Sequence, residues 1–366
     1  MKNFKILPVL LLLLGFMSCK KDKSQHKDLN TVVKIFAGNL NSFFLKADGT
    51  LWATGANNFG QLGDGTTTNV TKAKKIMDNV EMVSAGAEHT LIVKNDKTLW
   101  TTGNNTFGQL GDGTTITAKT PQQIMADVKS VAAGAYHSLI LKSDNTLWAM
   151  GNNNYGQFGN GTTSSVKLPI QIMVNVKSVL AANFSTYILR TDNSLLVAGD
   201  NDSYQFGGYN NDKVITFKQI MIDVQSVSAS TNNAIILKTD KTLWGLGNGE
   251  IYQFGDNTQL TAHVAKQIMT YVKAVSSGDA HTMVLKTDNT LWAAGFNVAG
   301  QIGDATTTNV KTFKQVMTDV KEVKTTHQHT LILKNDNTVW ATGLNSSGQL
   351  GDGTTIAKHS FTEIKP

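Results

Sequence analysis

The chain has 366 residues, of which 40% are hydrophobic and 16% charged, with a formal net charge of +6. That balance suits a globular chain with a large core and excludes a disordered or collagen-like one. A single cysteine excludes any internal disulfide.

In chain order, the first element is not part of the fold. Lys2 and Lys5 precede an apolar run of 11 residues, Ile6 to Phe16, too short to span a bilayer as a helix. This is the pattern of a secretory signal peptide over residues 1–18. Cys19 follows Leu14-Gly15-Phe16-Met17-Ser18, an arrangement that resembles a bacterial lipoprotein signal with Cys19 as the lipidated residue. The resemblance implies a cell-envelope location with membrane contact through the lipid alone. Lys20 differs from the aspartate of inner-membrane retention, so the outer membrane is preferred. Residues 19–30 continue as a polar tether without apolar periodicity. Signal and tether each carry a net +2, which leaves the body at about +2. The high pI is therefore largely a property of the leader, and no nucleic-acid partner is expected.

From residue 31 to residue 366 the chain repeats. Trp52, Trp100, Trp148, Trp244, Trp292 and Trp340 are spaced by 48 or 96 residues, with Leu196 in the gap. Seven 48-residue units begin at Val32, Val80, Val128, Val176, Val224, Val272 and Val320, without insertion or deletion. Each unit reads as an apolar segment, a small-residue turn, a fully apolar strand such as His137–Lys142, a tight turn, a Trp-bearing strand, a long glycine-rich loop and a final strand ending in Ile-Met. Four short strands per unit and no helical period predict an all-β, seven-bladed propeller.

Residues that recur in every unit read as scaffold. Asp48, Asp96, Asp144, Asp192, Asp240, Asp288 and Asp336 fall in the tight turn, where Asp bonds backbone N–H groups. The residue after each is Gly, Asn or Lys, which predicts a left-handed turn position. Gly60-Gln61-Leu62-Gly63-Asp64-Gly65 lacks the lysine of a phosphate-binding loop and leads to a strand, not a helix. Its glycines are assigned to turn geometry and close approach between blades, and Gln61 and its six counterparts to tying the loop backbone. His89, His137, His281 and His329 share one column and are assigned to structural hydrogen bonds. No metal, cofactor or catalytic group is expected.

The stretches Ala53–Gly65 and Ala132–Lys142 resemble the regulator of chromosome condensation repeat family. The shared elements are Gly55, Asn57, Gly60-Gln61-Leu62-Gly63, then Gly86 with His89, Gly134 with His137 and Gly278 with His281; His329 has Thr326 in place of the glycine. The resemblance spans residues 32–364. It implies the propeller fold and a family that ranges from a nucleotide-exchange factor for a small GTPase to secreted binding modules. The exchange factor works through an inserted wedge; these units carry no insertion, so exchange is not expected.

Function is therefore sought where the units differ. Phe59, Phe107 and Tyr155 share a long-loop column; Tyr136 and Phe184 share the first turn; Tyr204 and Tyr252 replace a glycine in the degenerate units four and five. These seven rings are the candidate binding face, because aromatic residues dominate interface hot spots. Packing of the rings under their own loops is the competing structural explanation. The expectation is a monomeric, non-catalytic binder of an envelope protein or polymer. A glycan hydrolase or lyase would need two convergent carboxylates about 5 to 9.5 Å apart, and none lies outside the repeated turns. A structural or adhesive spacer is the other alternative.

Overall fold

A computed structural model describes residue 1 and residues 28–366. The signal peptide, Cys19 and most of the tether lie outside the described residues. The body forms 28 strands in seven four-stranded antiparallel sheets, each built from consecutive strands. In the first blade these are β1 (Val32–Ala37), β2 (Asn41–Lys46), β3 (Leu51–Gly55) and β4 (Val70–Met77). Ile35 stands opposite Phe44, and Phe44 opposite Trp52. The second strand is buried along its length, as its unbroken apolar run requires.

First strands of neighbouring blades pack side by side around the ring, so they line the axis. Seven apolar clusters fill the gaps between blades. One of them joins Phe43, Leu51 and Leu62 of the first blade to Val80, Val83 and Ile92 of the second. The last of them joins Val32, Ile35 and Phe44 to Leu331, Val339 and Ile364, which closes the ring. No strand is exchanged at this seam.

The chain enters two faces alternately. One, the hairpin face, holds the turns between second and third strands and the links between blades. There Asp48 Oδ1 accepts from Thr50 N at 2.8 Å and Thr50 Oγ1 at 2.7 Å, and Thr50 Oγ1 accepts from Trp52 Nε1 at 2.9 Å. The same Asp–Thr–Trp chain recurs at Asp96, Asp144, Asp240, Asp288 and Asp336. The following residue is left-handed in all seven turns, including Lys97 (φ 65°) and Lys241 (φ 69°).

The column histidines lie between blades. His89 Nε2 is 2.9 Å from Ser138 Oγ on the next blade, whose hydroxyl donates to the Gln109 carbonyl at 2.7 Å. His281 meets Thr330, and His329 meets Ser42 across the seam, at 3.1 and 3.2 Å. Burial pushes their pKa values down, to about 4 for His89 and His281 and about 3 for His137 and His329, so these rings are neutral at pH 7.

Two predictions follow from these contacts. A lysine held at positive φ is strained relative to asparagine, which is several-fold enriched there; Lys241→Asn should stabilise by roughly 0.5 kcal/mol, read as a rise in melting temperature. The histidines act on stability in acid. Below pH 6.5 the unfolded chain takes up protons that the folded chain refuses. Stability therefore falls as pH drops from 6.5 towards 4, by about 1.4 kcal/mol per pH unit for each histidine. The capping aspartates are held below the usual carboxylate range by their Thr partners, so their loss comes at lower pH. His281→Asn, which places there the residue found at Asn41 and Asn233, should flatten the slope by one proton in urea melts between pH 7 and pH 4.5. An unchanged slope would refute the assignment.

Candidate functional site

The opposite face carries the inner turns, between first and second strands, and the long loops, between third and fourth. The long loops are rigid by construction. Gln61 Oε1 accepts from Phe59 N at 2.9 Å, and the six counterpart glutamines do the same. Asn57 Oδ1 accepts from Leu62 N at 3.0 Å, while Asn57 Nδ2 donates to Asp64 Oδ1 at 2.9 Å. Asp64 also receives Lys74 at 2.9 Å; these hydrogen bonds outweigh its burial and hold the carboxyl down to about 2. The glycines answer to the next blade: a Cβ on Gly60 would stand 2.6 Å from Lys119 Cα. Both the glutamine and the glycine assignments made from sequence are therefore seen in the fold.

The glutamine latch fixes the backbone of the very column that carries Phe59, Phe107 and Tyr155. From there Phe107 and Tyr155 reach the inner turn of the next blade. Phe107 and Tyr136 have ring centroids 5.4 Å apart; Tyr155 stacks on Phe184 at 4.7 Å, with 26° between planes; Tyr136 and Phe184 are 6.1 Å apart. The four form one half-buried crescent across the second, third and fourth blades. They pack on rings of adjacent blades. In the next blade the same contact is polar: Ser203 Oγ donates to Asn232 Oδ1 at 3.0 Å.

The other three predicted rings are elsewhere. Phe59 is half-buried and makes no ring pair among the described residues. Tyr204 lies at the outer rim, 4.3 Å from the His263 ring, which also stacks on the exposed Tyr209 at 5.0 Å. Tyr252 sits one blade further on, with Lys311 Nζ 5.6 Å from its centroid. Both tyrosines keep the left-handed backbone of the glycine they replace, at φ 58° and 62°. Thus the structure joins four of the seven and leaves Phe59, Tyr204 and Tyr252 outside the crescent.

Several neighbours were not singled out from sequence. Lys213 Nζ lies 4.6 Å from the Tyr155 centroid. Glu88 occupies the inner turn of the second blade and accepts from Asn104 Nδ2 at 2.8 Å. Burial, and then the Glu88 charge, raise the Tyr136 phenol. The inner turns also ring an axial cavity of about 600 Å³. At its mouth His327 Nδ1 is 2.5 Å from Asp279 Oδ2; the hydrogen bond to Asp279 raises the imidazole pKa. Among the described residues, no group of three or more His, Cys, Asp or Glu is placed to hold a metal.

Two family models match the chain, both described as the regulator of chromosome condensation (RCC1) repeat. One covers residues 32–61, 82–109, 128–157, 272–301 and 320–349; the other covers 48–93, 96–141 and 144–188. No curated protein matches the chain. Among solved structures, the human protein WBSCR16 is similar at 18% identity and TM-score 0.78, over 86% of this chain and 93% of that one. Prp20p from Saccharomyces cerevisiae, described with its binding to Gsp1p and histones, is similar at 16% identity and TM-score 0.79, over 92% and 88%. Yeast RCC1 (Prp20) in a structure with Kap60 gives 16% identity and TM-score 0.77, over 93% and 86%. At these identities the likeness shows the fold alone.

Proposed function

The chain belongs to the regulator of chromosome condensation (RCC1) repeat family, and we propose that it is a non-catalytic binding module for a protein, or polymer, of the cell envelope. The observation that carries this reading is the crescent of Phe107, Tyr136, Phe184 and Tyr155. Four half-buried rings on latched loops offer a large, rigid contact area at low entropic cost. The RCC1-like propeller commonly mediates protein interaction, and the structure of yeast RCC1 with Kap60 is one instance.

The repeated polar residues favour binding over chemistry. The turn aspartates cap their own threonines, and the column histidines meet hydroxyls of the next blade. These groups are committed to the scaffold. The family also includes exchange factors, but the uninterrupted 48-residue period leaves no inserted wedge for that role.

Anchoring through Cys19 fits the same reading. The Leu29 and Thr31 carbonyls accept from the first hairpin turn, at Asp48 N and Ala47 N. The described chain thus begins at the hairpin face, opposite the loop face offered to a partner.

The test is capture from envelope extract by residues 28–366, followed by titration of the captured partner. Phe107→Ala with Tyr155→Ala should weaken it by roughly 30-fold or more, as for hot-spot rings. Phe59→Ala, in the same column but outside the ring contacts, should not. Equal capture by all three proteins would sink the reading.

A further inference from the structure

The charge of the loop face is distributed unlike that of the rest of the body. Consider the seven inner turns and the four residues that open each long loop. They hold Glu88, Asp200, Asp202, Glu250 and Asp279, and not one lysine or arginine, in a chain with 33 such cations. Most lysines lie on outer strands and near the hairpin face, for example Lys74, Lys129 and Lys273; Lys213 closes a long loop, Lys119 borders one at Gly60, and Lys324 lines the axial cavity. The inner turns and loop openings around the aromatic crescent thus carry carboxylates without lysine or arginine, a local balance that favours a cation over an anion.

The crescent already holds one ammonium. Lys213, at the end of the long loop of the fourth blade, lies 4.6 Å from the centroid of the Tyr155 ring, on which Phe184 also stacks. Towards the second blade the pattern is repeated without an internal cation. Phe107 and Tyr136 stand together, and Glu88 is held at the opening of the Phe107 loop, where Asn104 Nδ2 donates to one of its oxygens at 2.8 Å while the other makes no hydrogen bond among the described residues; its charge acts on Tyr136. Aromatic faces beside a carboxylate are the chemistry that recognises an ammonium or guanidinium.

Resting on the loop-face reading above, we propose that the Phe107–Tyr136–Glu88 end of the crescent takes a lysine or arginine side chain from a basic segment of the partner protein. Ring faces supply the cation–π contact, and Glu88 supplies the counter-charge. The remaining carboxylates of the inner face steer the basic segment to it.

The probes are short fluorescein-labelled peptides of equal length, alternating arginine, lysine or glutamate with serine, read by anisotropy on residues 28–366, which close into a complete ring. Arginine and lysine peptides should bind, the glutamate peptide should not, and binding should weaken with added salt. Tyr136→Leu and Glu88→Gln should each weaken the arginine peptide by roughly 5-fold, while Lys129→Gln on the hairpin face leaves it unchanged. Glu88→Gln preserves the acceptor for Asn104, so it remains informative if Tyr136→Leu does not fold. No preference for the basic peptides, or full affinity in both variants, overturns the proposal. If the partner is lost on Phe107→Ala with Tyr155→Ala, yet the arginine peptide neither binds nor competes, the cation assignment fails and the loop-face reading stands. Capture indifferent to the rings removes both.

Discussion

Each long loop donates one backbone N–H to the outer strand of the next blade. The donors are Gly65, Gly113, Gly161, Gly208, Asn257, Ala305 and Gly353, and the acceptors are carbonyls of Lys119, Lys167, Ile215, His263, Lys311, His359 and Thr71, at 2.7 to 3.0 Å. The blades touch mainly through apolar side chains, which set distance but not register. These seven directional bonds, one per junction, pin each loop to its neighbour. In five blades the left-handed backbone and missing side chain of Gly60, Gly108, Gly156, Gly300 and Gly348 ease that approach; Tyr204 and Tyr252 keep the left-handed backbone alone. The ring column is carried on loops that this bond ties to the next blade, as the glutamine latch ties them internally.

Much of this was legible in the chain. The 48-residue period defined blade number and strand count, and recurrence separated turn devices from candidate sites. Asp48 and Gln61 each have a role that a single copy would not reveal and seven copies do. The crescent was only half legible. Phe107 and Tyr136 occupy different columns, 29 residues apart, and meet because a loop of one blade lies over the inner turn of the next. Column alignment records which residues are equivalent; it does not record radial position. That is why Tyr204 and Tyr252, equivalent to a glycine facing the outer strand, were grouped with rings near the axis. Glu88 and Lys213 carried a faint signal, as charged residues in columns otherwise held by neutral ones, visible only after the crescent is seen.

The fourth and fifth blades show how far a unit can drift while the ring persists. Both family models leave residues 189–271 unmatched, yet the strands there keep the spacing and pairing of the others. Tyr204 and Tyr252 accept a backbone conformation that disfavours them, at a cost on the order of 1–2 kcal/mol each. Packing on His263 and beneath Lys311 offsets part of it. Buried second strands and the blade-to-blade bond are sufficient to hold a unit whose loop sequence has changed.

The seam between the last blade and the first is closed by side-chain packing and by the same loop bond as every other junction, with Val32 and Ile364 in one apolar cluster. No strand crosses it. Topologically, then, the ring has no privileged beginning: its first and last strands, at Val32 and Ile364, meet at the hairpin face, where the six blade-to-blade links also lie. Joining the ends and opening any other link would give a circular permutant with the same seven sheets. The position of the tether on the ring, and so the sector of the loop face farthest from it, is a free variable of this architecture.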